Sequence, residues 1–253
     1  MNRYLSLLLF GTLLAAGCIA YNVQADSPET KTWPAAGITT IDVRADNGAI
    51  TVTAKADTVV SALITKSCKG TSEADAESHL ADITTGDSVS GTTLYLWGKV
   101  PMPNVRSYNT KYEVTAPAAC GLHIETANGA VELKDMAGAA TVVATNGAVG
   151  TVAHHGSISV EAANGAIDCD VAALDTAEAA VLHSANGRVT LYLPADASAA
   201  FDILTTNGRA RVEGFANVNY SLNEAKHLTG TIGTGLATVT LRSENGNVTI
   251  QTR

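Results

Sequence analysis

The sequence predicts an all-β fold, namely a β-solenoid with about 18–22 residues per coil and an irregular insertion near its amino-terminal end. The first supporting observation is that an Asn-Gly dipeptide occurs seven times, and the copies from Asn128 onward lie 18, 18, 22, 21 and 38 residues apart. Asn and Gly both tolerate positive φ, so each pair predicts a tight change of chain direction. The pairs are Asn47-Gly48, Asn128-Gly129, Asn146-Gly147, Asn164-Gly165, Asn186-Gly187, Asn207-Gly208 and Asn245-Gly246.

The second observation is that each pair lies between two segments in which apolar and polar residues alternate. The residues six and four before the Asn, and three and five after it, are apolar in every copy except at Thr151. Alternation with a period of two on both sides of a turn predicts two half-buried strands per repeat. The apolar set is Ile41, Val43, Ile50, Val52, Leu122, Ile124, Val131, Leu133, Ala140, Val142, Val149, Ile158, Val160, Ile167, Cys169, Ala180, Leu182, Val189, Leu191, Phe201, Ile203, Ala210, Val212, Val239, Leu241, Val248 and Ile250.

Two architectures fit this pattern. Asn-Gly between alternating runs is a strong hairpin signal and would give an antiparallel meander. A period of about twenty residues instead indicates a solenoid, in which equivalent positions stack in parallel. The inward positions on either side of the Asn are seven residues apart, and the residue two before the Asn is always small. A solenoid corner accounts for the small residues and for the repeated Asn, whose amides can stack coil upon coil, so the solenoid is favoured.

The first 17 residues have the features of a secretory signal. Arg3 precedes an apolar run of about twelve residues, which is too short to span a bilayer as a stable helix. Residues 14–18, Leu-Ala-Ala-Gly-Cys, resemble the lipobox of bacterial lipoproteins, which predicts lipidation of Cys18 and membrane association through a lipid anchor. Ile19, rather than Asp, follows the cysteine, which by the same resemblance indicates the outer membrane. The alternative is cleavage after Ala25, which would give a soluble periplasmic or secreted protein.

The predicted organisation is a signal peptide at 1–17 (or 1–25), a polar tether at 18–37, and a β-solenoid domain at 38–253. The chain has 24 acidic and 16 basic residues, for a net charge of −8, and it shows no basic patch. It therefore lacks the electrostatic footprint of a nucleic-acid-binding protein. Aromatic residues are scarce, whereas Ala, Thr, Gly and Val are abundant, which suits a narrow solenoid interior.

The repeat lapses at about 70–110 and again at 216–234. Ser72-Glu-Ala-Asp75 has the form of a capping box and predicts a short helix that ends near Asp82. Residues 93–97 are predicted to form a strand. We expect the insertion at 70–110 to cap or decorate the solenoid, because open strand edges invite aggregation. Residues 216–234 are expected to form a degenerate coil.

The cysteines predict one disulfide and one buried thiol. Cys68 and Cys120 flank the insertion, and in an oxidising compartment a disulfide closing a loop of about fifty residues would contribute about 4 kcal/mol. Cys169 occupies an inward position between Ile167 and Val171, so it is interpreted as a small buried hydrophobe. No C-x-x-C motif occurs, and redox or zinc-ribbon chemistry has little support.

No metal or cofactor site is predicted. His154 and His155 are adjacent, and neighbouring strand residues point to opposite faces, so the two cannot chelate one metal unless a turn intervenes. Gly156 follows them, and the pair is interpreted as a corner at the surface. The sequence also lacks the motifs of phosphate-binding loops, zinc proteases and serine hydrolases.

One acidic group resembles a catalytic arrangement. Asp168 and Asp170 are expected to project from the same outer face of one strand, with Glu132 at the position equivalent to Asp168 in another coil. Polysaccharide-cleaving β-helix enzymes place carboxylates on such a face, and glycoside hydrolysis needs two at a defined separation. Because few aromatic and basic residues lie nearby, a solvated acidic face is the favoured interpretation.

The repeats resemble a known family. The frame h-x-h-x-T-x-N-G-x-V-x-h (h, apolar), residues 191–201 (LYLPADASAAF) and residues 239–250 (VTLRSENGNVTI) are similar to the bacterial "putative adhesin" β-strand-repeat proteins of unknown function. The resemblance covers about residues 38–253. It implies a single-stranded β-helix in an exported or cell-envelope protein, and it carries no motif of functional residues.

Three functions follow from these observations. The favoured one is a non-enzymatic cell-envelope protein whose solenoid surface binds a glycan, a cell-wall polymer or a protein. The second is an envelope scaffold with no surface ligand of its own. The third is a carbohydrate-active enzyme, a polysaccharide hydrolase or lyase, that uses the acidic outer face.

Overall fold

The computed structural model of the chain describes residues 21–101 and 106–253. These residues form two large β-sheets, one short α-helix and a short 3-10 helix at Leu80–Asp82. The α-helix α1 spans Glu73–Ser78. The strands are β1 (Val23–Pro34), β2 (Thr40–Asn47), β3 (Ile50–Ala54), β4 (Val59–Gly70), β5 (Thr84–Ser90), β6 (Thr93–Lys99), β7 (Tyr108–Ala116), β8 (Gly121–Asn128), β9 (Val131–Lys134), β10 (Ala140–Asn146), β11 (Val149–His155), β12 (Ile158–Asn164), β13 (Ile167–Ala173), β14 (Ala179–Asn186), β15 (Val189–Leu193), β16 (Ala199–Asn207), β17 (Ala210–Glu213), β18 (Val218–Asn223), β19 (His227–Ile232), β20 (Ala237–Asn245) and β21 (Val248–Thr252).

The strands divide between two sheets. Sheet I has the order β1-β4-β7-β3-β9-β11-β13-β15-β21-β17, and sheet II has the order β18-β19-β16-β20-β14-β12-β10-β8-β2-β6-β5. Each Asn-Gly pair joins a strand of sheet II to the next strand of the chain, which lies in sheet I. The strands on either side of a pair are therefore not hydrogen-bonded to each other, and the hairpin alternative is wrong.

Successive repeats stack in parallel. Asn146 at the end of β10 lies opposite Asn128 of β8 on one side and Asn164 of β12 on the other. In sheet I, Val149 of β11 lies opposite Val131 of β9 in the same way. The prediction of an all-β fold with many strands in stacked, solenoid-like repeats is confirmed.

The core lies between the two sheets, where the alternating apolar residues of both meet in one cluster. Every predicted inward position is buried except Val212, which is half-buried. Thr151, the one polar inward residue, donates its hydroxyl to the carbonyl oxygen of Asp170 at 2.9 Å. The small residues two before each Asn are also buried, and Ser184 and Ser243 donate to glycine carbonyls of the adjacent corners.

The order of the repeats in space differs from their order in the chain. The coil formed by β20 and β21 lies between that of β14–β15 and that of β16–β17. The expected degenerate coil at 216–234 is wrong, because β18 and β19 form an antiparallel hairpin. That hairpin pairs with β16 through β19 and extends sheet II, so that β18 is the edge strand.

The expected tether at 18–37 is wrong over most of its length. Residues Val23–Pro34 form β1, which pairs antiparallel with β4 from Val23 opposite Gly70 to Pro34 opposite Val59. Trp33 packs against the core and its indole N–H donates to Asp87 at 3.2 Å, which holds this polar segment in place. β1 is an edge strand, where proline is tolerated.

The insertion begins with the predicted helix. Ser72 caps α1 by accepting a hydrogen bond from the backbone N–H of Asp75 at 3.2 Å. The rest of the insertion extends both sheets, since β6 pairs parallel with β2 and β7 pairs parallel with β3. The described part of the chain contains no helix with the length and apolarity that crossing a bilayer requires.

Candidate functional site

The Asn side chains at the corners form a continuous ladder of amide hydrogen bonds, which we call the Asn ladder. Each amide nitrogen donates to the amide oxygen of the neighbouring coil, except that of Asn47, which donates to the backbone carbonyl of Tyr108 at 3.4 Å. The donor–acceptor pairs are Asn128 to Asn47 (2.7 Å), Asn146 to Asn128 (2.9 Å), Asn164 to Asn146 (3.0 Å), Asn186 to Asn164 (2.9 Å), Asn245 to Asn186 (2.8 Å) and Asn207 to Asn245 (2.9 Å). The Asn side chains along this corner of the fold are therefore hydrogen-bonded to one another, which is a structural role.

The glycines beside the ladder allow the corners to approach closely. A Cβ atom at Gly165 would overlap the carbonyl oxygen of Gly147 in the adjacent coil. The same overlap recurs between Gly147 and Gly129, and between Gly187 and Gly165. Only glycine fits these positions, because backbone lies where a side chain would begin.

The acidic residues singled out in the sequence are bound to basic partners. Asp168 accepts from Arg188, with a shortest distance of 2.7 Å, and Asp170 lies 2.7 Å from Arg253. Glu132 pairs with Lys134 at 2.9 Å. A depression beside Asp170 is lined by Tyr192 and Arg253, but Asp168 does not line it. Both aspartates are therefore engaged with separate arginines, and Asp170 but not Asp168 lines this depression.

The interpretation of the two histidines as a surface pair is wrong for His154. Ala153 adopts a φ of 49°, and the register of β11 shifts between Thr151 and His154, so this strand bulges. The bulge turns His154 fully into the interior, while His155 is exposed. Burial lowers the pKa of His154. Among residues 21–101 and 106–253, no group of three or more His, Cys, Asp or Glu side chains is placed to hold a metal ion.

The predicted Cys68–Cys120 disulfide is absent, and both residues are free thiols. Cys120 lies in the main core, whereas Cys68 packs with Ile83, Val100 and Tyr108 in a separate small cluster. The two residues therefore belong to different packing units. Cys169 is buried as expected, and burial raises its pKa to about 12.

The predicted lipidation residue, Cys18, lies outside the described residues. The alternative cleavage position, Ala25, lies within β1, where it is buried opposite Cys68.

A surface group that the sequence analysis did not single out lies on the outer face of sheet II. Tyr95, Trp97 and Lys99 are alternate residues of β6, and Arg44 of β2 lies opposite Trp97. We call these four residues the β6 platform. Gly86 of β5 lies opposite Trp97 on the other side, and a Cβ atom there would overlap the indole ring. The ring therefore lies across the backbone of an edge strand.

The two cations of the β6 platform are held differently. Arg44 donates to both carboxylate oxygens of Asp42, at 2.8 and 3.0 Å, and lies 3.7 Å from Glu125. Asp42, two residues before Arg44 on β2 and opposite Tyr95, is buried, and its hydrogen bonds to the guanidinium raise the pKa of Arg44. Lys99 is exposed and forms no ion pair within the described part of the chain.

Two shallow depressions meet at the β6 platform. The larger, about 530 Å³ in volume, is lined by Arg44, Ser88, Tyr95, Trp97 and Lys99. The smaller, about 240 Å³, shares Arg44, Trp97 and Lys99 with it and is also lined by two acidic residues, Asp46 and Glu125. The alternation of Tyr, Trp and Lys along residues 95–99 was the available sequence signal. It could not indicate a site, because the parallel pairing of β6 with β2 is not evident from the sequence.

Comparison with known proteins identifies the family and the fold. No curated protein matches the chain. A solved structure from Clostridium sporogenes, described as a "putative cell adhesion protein", is 12% identical and aligns with a TM-score of 0.51 over 90% of this chain and 100% of that chain. A "putative adhesin" from Bacteroides fragilis is 13% identical, with a TM-score of 0.45 over 90% of this chain and 97% of that chain. Residues 28–251 match the family described as Toastrack DUF4097. Since that match spans most of its length, the chain belongs to the Toastrack DUF4097 family.

Proposed function

We propose that this chain is a non-enzymatic, exported cell-envelope protein of the adhesin type, which binds an envelope or surface glycan or protein through a face of its solenoid. The observation that carries the proposal is the outer face of sheet II, where the side chains of successive parallel strands lie in register. Exposed apolar residues on this face stand singly among charged ones, as Val143 does between Glu125 and Glu161. A mixed face of this kind can hold a ligand through many separate contacts.

The regular stacking supports a binding role. Parallel strands lie about 4.8 Å apart, so outward side chains of sheet II stand at fixed spacings along the whole face. Such a face can contact a repeating polymer or an extended protein surface at several points, none of which has to be strong alone. We further propose that the stacked repeats that build this face form a single-stranded β-helix.

The pairing of Asp168 and Asp170 with separate arginines argues against hydrolysis or lyase chemistry at these residues. A glycosidase needs two carboxyl groups that flank one glycosidic bond. Here Asp168 contacts Arg188 and Asp170 contacts Arg253. We interpret Asp168 and Asp170 as members of ion pairs on the outer face of sheet I.

We also propose that the chain is lipid-anchored through Cys18 in the periplasm or at the outer membrane. Cleavage after Ala25 would remove the first three residues of β1, including a buried alanine that pairs with Cys68. Cleavage before Cys18 would leave β1 intact, with a connector of about five residues between the lipid and the strand.

The function is tested with purified residues 22–253, incubated with insoluble polysaccharides and with peptidoglycan. Retention on the polymer and release of reducing ends are scored together, for the wild type and for a double variant with Asp168→Asn and Asp170→Asn. Retention without products, equal in both proteins, supports a binding protein. Products that disappear in the double variant would establish the enzyme. If neither retention nor products occur, the scaffold hypothesis is favoured, and protein partners of the envelope should be sought.

The anchor is tested separately in cells, by incorporation of labelled palmitate into the wild type and a Cys18→Ser variant. We expect label only in the wild type. Unlabelled wild-type protein that begins at Asp26 would instead establish cleavage after Ala25.

A further inference from the structure

We propose that the β6 platform, formed by Tyr95, Trp97, Lys99 and Arg44, is a binding site for an oligosaccharide that carries carboxylate groups, such as a uronic acid polymer. This inference rests on the proposed binding function and assigns it a place and a ligand class.

The two rings are arranged along the strand for a ligand of saccharide size. Tyr95 and Trp97 are two residues apart on one face of β6, so their backbone positions are separated by about 7 Å. That is of the order of the distance between successive sugar rings in a chain. One face of a pyranose ring presents polarised C–H groups, which are attracted to the negative face of an aromatic ring.

The neighbours of the rings keep this surface open. Gly86 lies opposite Trp97 and Ser88 lies opposite Tyr95, so β5 presents only small residues beside the two aromatic side chains. Tyr95 is 36% exposed, which is high for a large side chain in the middle of a strand. The indole of Trp97 rests on the backbone at Gly86.

The charges around the rings select an acidic ligand. Arg44 is already paired with Asp42, which lies opposite Tyr95, and it is also close to Glu125, so its charge is largely balanced. Lys99 is exposed and has no ion-pair partner among the described residues, so it is the cation that a carboxylate of the ligand would meet first. Lys99 can contact that carboxylate as a point charge, and Arg44 can add its remaining N–H groups.

The supporting strands make the site rigid before any ligand arrives. β6 is paired on both sides, with β5 and with β2. The edge strand β5 is fastened from its other face, where Asp87 accepts hydrogen bonds from Lys31 at 2.8 Å and from Trp33 at 3.2 Å. A pre-organised site loses less side-chain freedom on binding, which favours affinity for a ligand held by few contacts.

The test is isothermal titration of residues 22–253 with a galacturonic acid hexamer and with the same hexamer fully methyl-esterified. The ester keeps the sugar rings and removes the charge. We expect the acid to bind and the ester to bind at least about tenfold more weakly. Equal binding of the acid and the ester would overturn the proposed role of the cations.

Variants locate the site on the molecule. Trp97→Ala and Lys99→Gln should each weaken binding of the acid by about tenfold or more, while Tyr192→Ala on the other sheet and Lys69→Gln on β4 should leave it unchanged. Lys99 is exposed and unpaired among the described residues, so Lys99→Gln tests the site even if Trp97→Ala fails to fold. Binding that survives Lys99→Gln, or that is lost equally in the control variants, would overturn the assignment.

The outcomes separate this inference from the function on which it rests. If the hexamer does not bind but the protein is still retained on peptidoglycan or another polymer, the β6 platform is not a uronate site and the binding function stands. If neither the hexamer nor any polymer is bound, the uronate site and glycan binding both fail, and the proposed binding function is left to protein partners alone.

Discussion

The side-chain amide of Asn207 donates a hydrogen bond to Asn245 at 2.9 Å, although Asn245 follows it by 38 residues in the chain. Asn245 donates in turn to Asn186 at 2.8 Å, so the Asn ladder continues without a gap through the coil formed by β20 and β21. Residues inside the ladder make two amide–amide bonds, whereas Asn207 at its end makes one. Because of this difference, substitutions inside the ladder and at its end should lower the stability of the fold by different amounts.

Asn164→Ala should lower the free energy of unfolding by about 1 kcal/mol, because it removes two hydrogen bonds that are partly exposed to water. Asn207→Ala should cost about half as much. Urea denaturation measures both values. The matched control is Asn219→Ala, at an exposed asparagine of β18 outside the ladder, for which no loss is expected. An equal loss at positions 164 and 219 would contradict a stabilising ladder.

Gly165→Ala should destabilise the protein by about 3 kcal/mol or prevent folding, because the new methyl group would overlap the carbonyl of Gly147. Gly150→Ala is the control. Its Cβ would lie 3.6 Å from the carbonyl oxygen of Asp168, an ordinary contact, and its backbone is extended within β11. We expect the control to melt at or slightly above the wild-type temperature. Similar melting temperatures for the two variants would refute the close-approach argument.

The buried His154 should make stability fall on acidification. Burial lowers its pKa, the nearby His155 lowers it further, and a contact with the carbonyl of Ser157 partly offsets both. The unfolded chain, with a histidine pKa of about 6.5, therefore binds a proton that the folded chain does not, and stability decreases below that pH. The slope contributed by this group is at most about 1.4 kcal/mol per pH unit.

Unfolding free energies of the wild type and a His154→Leu variant, measured between pH 7.5 and pH 5, test this prediction. The variant should show a shallower decrease over that range. His155→Gln, at the exposed neighbour, should change the slope much less than His154→Leu, because His155 only adds to the larger effect of burial on the pKa of His154. An unchanged slope in His154→Leu would show that other groups account for the pH dependence.

The three described thiols should be unreactive in the folded protein. Burial raises the pKa values of Cys68, Cys120 and Cys169, so little thiolate is present at neutral pH. Alkylation followed by peptide mass spectrometry should label them only after denaturation. A peptide pair linked between Cys68 and Cys120 under non-reducing conditions would instead restore the disulfide.

The repeat pattern predicted the fold well where local chemistry determines it. Residues such as Ile124 and Val160 alternate with polar neighbours, and both the strand and its buried face follow from that alternation. Ser72 predicted α1 because a capping side chain acts within one helical turn. The corners at Asn-Gly were predictable for the same reason.

Long-range pairing was not predictable in this way. The polar sequence of β1 gives no signal for a strand, and its place is set by pairing with β4 and by the burial of Trp33. The hairpin of β18 and β19 and the inward turn of His154 likewise depend on neighbours distant in sequence or on a local bulge. The β6 platform was missed because its four residues come from two strands separated by about fifty residues.

The position of the last coil has a consequence for how the chain reaches its final shape. β20 and β21 lie between coils that precede them in the chain, so β14 and β16 have no shared partner until residues 237–252 arrive. This part of the stack therefore cannot close until that segment is present. Completion of both sheets follows the synthesis of residues 237–252 and depends on contacts between segments distant in the sequence, which form slowly.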